Sequence, residues 1–487
     1  MKKLSFLLKS VAHYEVYGDA EIEISSLDFD SRKIVASDQG CSMYVAQKGT
    51  QFDGHLFINQ VIEKGARAIV CEEMPQEICS EVTYVKVENS AVALGFLASA
   101  FYDDPSTKIK LVGITGTNGK TTTVTLLHRL FMNLGYATGL LSTIQNKIEE
   151  RIIPSTHTTP DALELNRLLH EMVLQGCEYC FMEVSSHAIC QHRIAGVQFA
   201  GAVFSNITHD HLDFHKTFAH YITAKKAFFD HLSKESFALT NIDDKNGKVM
   251  VQNSEARIFT YSLLTAADFK GVVLDNGFEG LQMTMNGKEV FFKLSGKFNA
   301  YNLLAIYGTA LLLGMEEEEV LQKMSDLDSA AGRFQMIKNQ RGCTAIVDYA
   351  HTPDALKNVL STIQDITQHS VEIITVIGCG GDRDALKRPI MAATACQYSH
   401  KVILTSDNPR TEDPNKILEE MQTGVPAEKR RNVLVIENRR EAIKTACMMI
   451  SDHGVLLVAG KGHENYQEIN HVKHHFDDAE EIAAFLQ

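Results

Sequence analysis

The sequence predicts an α/β protein of about three domains, with sheets that are mostly parallel. Its 487 residues exceed what one ordinary core organises, and at roughly 150 residues per domain they suggest three. From Lys108 onward, apolar strand-like runs alternate with helical runs, which is typical of parallel sheets covered by helices. This alternation starts again after "SDLDSAAGRF". We therefore expect domains at residues 1–106, 107–331 and 332–487.

Composition and charge exclude several functions. With 61 acidic and 47 basic residues, the formal charge of -14 argues against a general nucleic-acid or anionic-membrane binder. No apolar run approaches the roughly 18 residues needed to span a bilayer. The ten cysteines are scattered, with Cys177 and Cys180 as the only C-x-x-C pair, so free thiols are favoured over a zinc or redox site. We expect a cytoplasmic monomer that acts on small molecules, without nucleic-acid or membrane partners.

The first 105 residues mix short strand candidates with helical patterns. The start "MKKLSFLLKS" predicts a short amphipathic helix, because Lys9 interrupts its apolar run. The runs "EIEISSLDF" and "ARAIVCEE" predict strands. The acidic, proline-containing "YDDPSTK" then marks the first domain boundary.

The stretch "VGITGTNGKTTTVTLL" predicts a phosphate-binding loop between a strand at 109–115 and a helix. Gly116 and Gly119 let the backbone approach a phosphate, Lys120 supplies a cation, and Thr121 supplies a hydroxyl for Mg2+. The spacing G-x-x-G-K-T is two residues shorter than the general motif. An ordinary strand-to-helix turn is the alternative interpretation.

Polar residues follow two further strand candidates of the central domain. They occur in "MEVSSHAICQHR" and "NITHDHLDFH". Because parallel strands end at one edge of the sheet, these residues can converge on the Mg2+ of the phosphate loop, and Glu183 and His211 are the ligand candidates. A structural histidine is the alternative for His211. Downstream, "HKTFAHYITAKKAFFDHL" predicts an amphipathic helix whose Lys225 and Lys226 would, on spacing alone, be solvated.

The last third of the chain predicts a second doubly wound domain. Five apolar strand candidates, each ending in polar or glycine-rich residues, lie in "CTAIVDYAH", "VEIITVIGCGG", "KVILTSDNP", "NVLVIEN" and "GVLLVAGKGHE". Ligands in such sheets bind beyond the carboxyl ends of the strands, where Asp348, Arg383, Asp407 and Glu464 fall. The loop "GCGGDRD" lacks dinucleotide spacing, which argues against an NAD site.

Ordered motifs along nearly the whole chain resemble the Mur ligases, the ATP-dependent amide-forming enzymes of peptidoglycan synthesis. The matching segments are "GTNGKTT", "TTP", "MEVSSHAICQHR", "NITHDHLDFH", "YITAK", "GKFNAYN", "VDYAHTPDAL", "GCGGDRDALKRP", "DNPRTEDP" and "GKGHENYQ". The resemblance implies an N-terminal domain that holds the UDP end of a precursor, a central phosphate-loop ATPase and a C-terminal Rossmann-like domain that receives an amino acid. It also implies a role in cell-wall assembly, and through it in cell shape and division.

The resemblance assigns roles at the reaction centre. It implies that Lys120, Glu183, His211 and Lys225 are catalytic, and that Thr121, Glu183, His211 and Lys225 serve two Mg2+ ions, with Lys225 converted by CO2 to a carbamate. Its ATP contacts match Gly116, Thr117, Asn118, Gly119, Lys120, Thr121, Thr122, Asn299, Asn302, Arg333 and Asp348. A helix cap for Asn299 and a surface charge for Arg333 are the structural alternatives.

The resemblance also implies two substrate sites. The UDP-muramoyl dipeptide would contact Ser31, Gln51, Thr158, Thr159, Ser185, Gln191 and Arg193. The incoming amino acid would contact Arg383, Asp407, Asn408, Pro409, Arg410, Gly460 and Glu464. Within this set, the D-N-P-R run at 407–410 matches the signature of relatives that add meso-diaminopimelate, since an arginine can bind its second carboxylate bidentately.

The function implied is ATP-dependent addition of meso-diaminopimelate to UDP-N-acetylmuramoyl-L-alanyl-D-glutamate through an acyl phosphate. L-Lysine, which lacks the second carboxylate, is the leading alternative substrate. A folylpolyglutamate synthase shares the ATPase core but should lack the D-N-P-R and uridine-side matches. A nucleotide switch without amide chemistry would not need both a dipeptide and an amino acid for ATP turnover.

Overall fold

The computed structural model describes residues 1–36, 40–49, 52–208, 210 and 212–486. Two residues with predicted roles, Gln51 and His211, lie outside this set. The described chain forms three large sheets, each flanked by helices, and one small hairpin. The expected α/β architecture with mostly parallel sheets is confirmed.

The N-terminal sheet has six strands, and its four middle strands are parallel while both edges pair antiparallel. Across the sheet, the strands are Lys2–Lys3, Glu23–Asp28, Cys41–Val45, Ala66–Cys71, Thr83–Val87 and Tyr14–Tyr17. Its helices are Leu4–Leu8, Ile58–Glu63 and Ser90–Phe101, with 3-10 turns at Gly54–Phe57 and Pro105–Thr107. The predicted first helix and both predicted strands are confirmed.

The central sheet has eleven strands, of which seven consecutive ones are parallel. Across the sheet, they are Arg151–Ile153, Asn146–Ile148, Thr138–Leu141, Tyr179–Glu183, Lys110–Thr115, Gly201–Phe204, Phe237–Asn241, Arg257–Ser262, Phe269–Gly277, Gly280–Met285 and Lys288–Phe292. The helices are Lys120–Asn133, Ala162–Leu174, Ser186–Cys190, Leu212–His215, Phe218–Asp230, Gly247–Val251, Lys297–Leu312 and Glu317–Ser325.

The C-terminal sheet has six strands, five of them parallel. Across the sheet, they are Gln335–Lys338, Thr344–Asp348, Val455–Ala459, Ile373–Ile377, Lys401–Leu404 and Val433–Val435. A hairpin pairs Tyr466–Ile469 with Val472–His475. The helices are Pro353–Thr367, Lys387–Tyr398, Pro414–Gln422, Arg439–Met449 and Asp478–Phe485, with a 3-10 turn at Ala427–Asn432. All five predicted strands are confirmed.

Burial on both faces explains the apolar runs that predicted these strands. In the strand Lys110–Thr115, Val112 and Ile114 pack into one core cluster with the helix Lys120–Asn133, while Leu111 packs into the cluster on the opposite face. A strand covered on both sides needs apolar residues at successive positions. Polar residues therefore begin only after this strand ends, at the carboxyl edge of the sheet.

The domain boundaries after residues 106 and 331 remain our proposal. They separate the strand sets of the three sheets, and the second falls just before Gly332, whose φ of +62° suits glycine. No helix among the described residues is long and apolar enough to cross a membrane. The cysteines are free thiols, and most of them are buried.

Candidate active site

The phosphate loop is shaped by glycine and by its own backbone. Gly119 has a φ of +89°, and a Cβ there would lie 2.4 Å from Oδ1 of Asn302. After the strand ends, Lys120 begins the helix and turns back, so that its Nζ donates to the carbonyls of Gly116 and Thr117, at 2.8 Å each. The loop thus holds an amine at the helix N-terminus, where partial positive charge favours anions.

Lys225 brings a second amine to the same loop. Its side chain is only 1% exposed, and its Nζ donates to the Gly116 carbonyl at 2.9 Å. Desolvation lowers the pKa of Lys225 well below 10.5, and the charge of Lys120 lowers it further. Desolvation likewise lowers the pKa of Lys120. Two desolvated amines that share one carbonyl form a site suited to an anion. When no anion is bound, the lowered pKa favours the uncharged form of Lys225.

The neighbouring Lys226 corrects the expectation that it is solvated. It pairs with Asp230 at 2.6 Å, and only 11% of its side chain is exposed. The two residues are four apart on one helix, which places their side chains on the same face. Lys225 and Lys226 therefore point to different surroundings.

Glu183 ends the strand next to the phosphate loop and keeps one carboxylate oxygen unused. Its Oε1 accepts from the Thr143 N–H at 2.8 Å, whereas its buried Oε2 has no hydrogen-bond partner among the described residues. The hydroxyl of Thr121 is buried nearby on the phosphate-loop helix, where it accepts from Arg333 at 3.1 Å. A buried, unpartnered carboxylate oxygen calls for a cation.

Five residues predicted to contact the precursor are joined around the backbone of Glu183 and its neighbours. The Thr159 hydroxyl donates to the Glu183 carbonyl at 2.7 Å and accepts from the Ser185 N–H at 3.0 Å. Arg193 bridges the Gln191 amide oxygen, at 2.6 and 2.9 Å, and the Thr159 carbonyl, at 2.8 Å. Thr158 accepts from the Thr143 hydroxyl. Ser31 lies apart from them in the N-terminal domain, where its carbonyl accepts from Lys64.

The two asparagines predicted on the adenine side form a pair on the helix Lys297–Leu312. Asn302 donates to Asn299 at 3.1 Å, and Asn299 donates to the Ser295 carbonyl. The helix is preceded by Gly296 as its N-cap. The alternative that Asn299 is a helix cap is therefore wrong.

Arg333 connects the C-terminal domain to the phosphate loop. Its guanidinium donates to the Thr121 hydroxyl at 3.1 Å and lies over the Tyr349 ring, 4.7 Å from its centroid. The alternative of a mere surface charge is therefore wrong. Asp348 instead accepts from the N–H groups of Phe334 and Ala350, and burial raises its pKa. Its contact with nucleotide remains a prediction, since both carboxylate oxygens here accept from backbone N–H groups.

The predicted amino-acid residues gather at the carboxyl edge of the C-terminal sheet. The Asn408 amide donates to Glu464 at 2.7 Å, and Arg410 donates to the Gly381 carbonyl at 2.7 Å. Gly460 has a φ of +113°, and a Cβ there would lie 2.5 Å from Oδ2 of Asp407. Burial and the neighbouring Asp407 raise the pKa of Glu464. The edge therefore carries a guanidinium and carboxylates side by side.

One cavity of about 570 Å3 joins these two sheet edges. Predicted residues that line it are Thr117, Asn118, Gly119, Lys120, Thr121, Thr122, Thr158, Glu183, Ser185, Lys225, Arg333, Arg383, Asp407, Asn408, Arg410, Gly460 and Glu464. The remaining described candidates, Ser31, Gly116, Thr159, Gln191, Arg193, Asn299, Asn302, Asp348 and Pro409, are not among its lining residues. Most predicted groups thus face a common space.

The sequence interpretation missed several residues of this cavity, among them Thr143, Tyr221, Tyr349, His351, Lys387 and Tyr466. Tyr349 and His351 directly follow the strand Thr344–Asp348, so the rule that ligands bind beyond strand ends could have found them. It also missed Lys461, which is fully buried and donates to Asn408 at 3.1 Å. No local pattern signals that contact, because the two residues meet only in the fold.

The fold and the cavity define a phosphate-loop protein whose site is completed by a second α/β domain. Three family models match this arrangement in order. They are described as the Mur ligase family catalytic domain at residues 23–102, the Mur ligase middle domain at 114–310 and the Mur ligase glutamate ligase domain at 332–462.

Individual proteins agree with the family models over the full chain. The chain is 57% identical to the UDP-N-acetylmuramoyl-L-alanyl-D-glutamate--2,6-diaminopimelate ligase of Cytophaga hutchinsonii, covering 97% of this chain and 96% of that protein. Identity to the Phocaeicola vulgatus protein of the same name is 54%, covering 98% of each. A solved structure of a ligase with this name superposes with a TM-score of 0.69 at 31% identity, covering 100% of this chain and 99% of that one. The chain belongs to the Mur ligase family.

Proposed function

We propose that this chain is an ATP-dependent ligase that adds meso-diaminopimelate to UDP-N-acetylmuramoyl-L-alanyl-D-glutamate in cytoplasmic peptidoglycan precursor synthesis. The observation that carries the proposal is that Lys120 of the phosphate loop and Arg410 of the C-terminal sheet edge line the same cavity. Relatives with 52–57% identity bear the name of this activity. ATP, the muramoyl dipeptide and the amino acid are then three small-molecule substrates of one site.

The reaction is a carboxylate activation followed by aminolysis. A carboxylate oxygen of the dipeptide attacks the γ-phosphorus of ATP, the bond to ADP breaks, and an acyl phosphate forms. The amine of the amino acid then attacks the acyl carbon, phosphate leaves with the bonding electrons, and the amine loses a proton. Lys120 lies where it can neutralise phosphate oxygens that gather charge, and this counters the repulsion between carboxylate and triphosphate.

Positioning of the substrates falls to residues on both sides of the cavity. We assign the nucleotide to the phosphate loop at residues 116–122 with Asn299, Asn302, Arg333 and Asp348. The precursor is assigned to Ser31 and to the linked group formed by Thr158, Thr159, Ser185, Gln191 and Arg193, with Gln51 as a further candidate outside the described residues. Bringing the amine to the acyl phosphate requires the two sheet edges to face each other, as they do across this cavity.

The residues present fit Mg2+. Among the described residues there is no cluster of three or more histidine, cysteine or carboxylate side chains, but Mg2+ is usually held by one or two protein oxygens together with phosphate and water. The unpartnered Oε2 of Glu183 and the hydroxyl of Thr121 would hold one ion, and His211 and a carbamate on Lys225 would serve a second. Such ions supply charge neutralisation at the phosphates.

Lys225 has the environment that carbamate formation needs. Only an uncharged amine reacts with CO2, and desolvation keeps the pKa of Lys225 low. The product is an anion, which the adjacent Lys120 would stabilise, since both amines already meet at the Gly116 carbonyl. We therefore propose that Lys225 acts as its carbamate, an oxygen donor that an ammonium cannot be.

For the amino acid, Arg410 would bind the distal carboxylate, with Arg383 as a second cation on the exposed side of the cavity. Glu464 and the Gly460 carbonyl would accept from the distal ammonium, and Asp407 adds negative charge nearby. L-Lysine would satisfy the acceptors but leave Arg410 without its carboxylate. This difference favours meso-diaminopimelate over lysine.

The test is the product mass formed with ATP and the dipeptide when each amino acid is offered in turn. We expect ADP, phosphate and a peptide extended by diaminopimelate, with much slower extension by lysine. Preferred extension by lysine would reassign the substrate. ATP hydrolysis that needs neither amino acid would indicate a nucleotide switch, and extension of a folate polyglutamate would indicate a folylpolyglutamate synthase; each would overturn the proposal.

A further inference from the structure

Arg388 is a buried cation behind the amino-acid edge of the cavity. It lies in the first turn of the helix Lys387–Tyr398, its side chain is only 1% exposed, and it does not line the cavity. Two carboxylates neutralise it: Glu412 at 2.9 Å and Glu420 at 2.7 Å. A buried guanidinium needs such partners, because losing them leaves an uncompensated buried charge.

Glu412 differs from Glu420 in what else it holds. It binds Arg388 with both carboxylate oxygens, at 2.9 Å each, and its Oε1 also accepts from the backbone N–H of Asp382. Arg388 itself donates to the Gly380 carbonyl at 3.3 Å. Glu412 therefore ties the loop at 380–382 to the buried cation, whereas the Glu420 carboxylate bonds only to Arg388 among the described residues.

The loop tied by Glu412 is the one that holds Arg410. Nη1 of Arg410 donates to the Gly381 carbonyl at 2.7 Å, and the Gly381 N–H donates to the Asn408 carbonyl at 2.9 Å. The Thr411 hydroxyl donates to Asp382 at 2.8 Å. The two loops are thus joined through backbone and side chains on both sides of Arg410.

Each of the two loops also contains one residue in an unfavourable backbone conformation, which surrounding contacts must stabilise. Asp382 has a φ of +52° and Arg410 a φ of +51°, a left-handed conformation that is uncommon for residues with a Cβ. Such residues keep this conformation when the surrounding structure constrains them, and they concentrate at ligand sites. Glu412 constrains Asp382 directly, because it binds the N–H of that residue. It follows Arg410 by two residues in the same tight turn, while the Arg410 backbone is also bonded to the Glu468 carbonyl and the Asn470 N–H.

We infer that Glu412 is a positioning residue for the incoming amino acid: by fastening the 380–382 loop to Arg388, it holds Arg410 ready for a distal carboxylate. The inference rests on the proposed function, since it concerns the same amino-acid site. It predicts that Glu412 sets the affinity for the amino acid and the preference for a second carboxylate. It does not involve Glu412 in the chemical step.

The experiment compares Glu412→Ala with Glu420→Ala, because each variant leaves Arg388 one carboxylate but only the first releases the loop. With ATP and dipeptide saturating, we expect Glu412→Ala to raise KM for diaminopimelate about tenfold or more, the scale of losing charge-assisted hydrogen bonds, with kcat changed far less. We expect Glu420→Ala to stay within about twofold in KM. Its preference for diaminopimelate over lysine should stay intact, whereas Glu412→Ala should lose most of it.

Thermal unfolding of both variants separates positioning from general destabilisation. Equal KM changes in the two variants, or a KM in Glu412→Ala that matches the unmodified enzyme, would overturn the inference. If Glu412→Ala does not fold, Glu412→Gln and Glu420→Gln provide the same comparison with side-chain shape retained. The unmodified enzyme tests the proposed function separately: preferred extension by lysine there would refute that proposal, whatever the variants do.

Discussion

The two ligand-facing sheet edges of this molecule are held in place by different means. At the central edge, the amines of Lys120 and Lys225 both donate to the carbonyl of Gly116, a backbone group of the phosphate loop itself. At the C-terminal edge, the contacts come from more distant segments: Asn408 accepts from the side chain of Lys461, and Arg410 is held by the Gly381 carbonyl and the carboxylate of Glu468. The contact of Lys120 with its own loop is encoded locally, whereas contacts between distant segments are encoded by the whole domain.

A second buried cation, Arg439, extends this contrast. It is 1% exposed, pairs with Asp478 at 2.7 Å and donates to the carbonyls of Ser406 and Ala459. These carbonyls immediately precede Asp407 and Gly460 in the chain. The C-terminal edge therefore lies over two buried guanidinium groups, Arg388 and Arg439.

The largest expected effect is a loss of turnover when the central edge is changed. Replacing Lys120 by Ala is expected to lower kcat at least about hundredfold, the scale of removing one preorganised electrostatic contact, with the fold intact. Steady-state turnover of ATP and circular dichroism measure both. The matched control is Lys226→Ala, a lysine one position from Lys225 that pairs with Asp230 instead, and it should leave kcat nearly unchanged. Near-normal turnover in Lys120→Ala would contradict the role assigned to the loop.

The same contrast explains how much could be predicted from sequence. The phosphate loop, its flanking strand and helix and five C-terminal strands were predictable, because continuous apolar runs mark strands buried on both faces. The three strands at the far edge of the central sheet, Phe269–Gly277, Gly280–Met285 and Lys288–Phe292, were not predicted, since they mix buried and exposed residues. Their half-exposed pattern is weaker than that of a fully buried strand.

Within the site, the sequence predicted many of the groups that line the cavity and missed the buried groups that hold them. Arg388 and Lys461 lie in motifs that the sequence analysis identified, but their contacts with Glu412 and Asn408 join residues that are 24 and 53 positions apart. Such pairs form only when the sheet brings helix and loop ends together. Spacing along the chain therefore could not indicate them.

A smaller effect, on the preference between amino acids, is expected at the C-terminal edge. The unmodified enzyme should prefer diaminopimelate to lysine by about thirtyfold or more in kcat/KM, because lysine offers no second carboxylate to Arg410, which otherwise has only a long ion pair with Glu468, at 3.6 Å, among the described residues. Arg410→Ala should erase most of this preference, chiefly by losing diaminopimelate, since Asp407 and Glu464 still favour the distal ammonium of either substrate. Competition between the two amino acids, followed by product mass, measures the ratio. Arg383→Ala, which removes an exposed guanidinium in the same cavity, should have a weaker effect.

An unchanged preference in Arg410→Ala would refute the assignment of its guanidinium to the second carboxylate. A larger loss in Arg383→Ala than in Arg410→Ala would instead place the carboxylate on the exposed side of the cavity. Either result would sharpen the comparison, because Arg383 has no hydrogen-bond or ion-pair partner among the described residues, while Arg410 is bound to the Gly381 carbonyl and to Glu468.

The smallest effect is on the free energy of unfolding, and it comes from burying the Lys225 amine at the central edge. Desolvation and Lys120 lower the folded-state pKa of this amine, so the unfolded chain binds more protons than the folded chain between that pKa and 10.5. Stability contributed at this site is therefore fully present above 10.5 and lost as pH falls toward the folded pKa. Lys225→Met removes the titration, and the Gly116 carbonyl keeps Lys120 as its donor.

In CO2-free buffer we therefore expect Lys225→Met to be inactive yet more stable than the unmodified enzyme, with the difference growing by at most about 1.4 kcal/mol for each unit that pH falls below 10. Urea unfolding at several pH values measures this slope, and Lys226→Met, which lacks the buried titration, provides the control. Added bicarbonate should stabilise the unmodified enzyme but not Lys225→Met, because a carbamate next to Lys120 stabilises the folded state. The difference in stability between the two proteins should then become smaller. A pH-independent difference would mean that Lys225 stays charged when folded, and such an amine could not react with CO2.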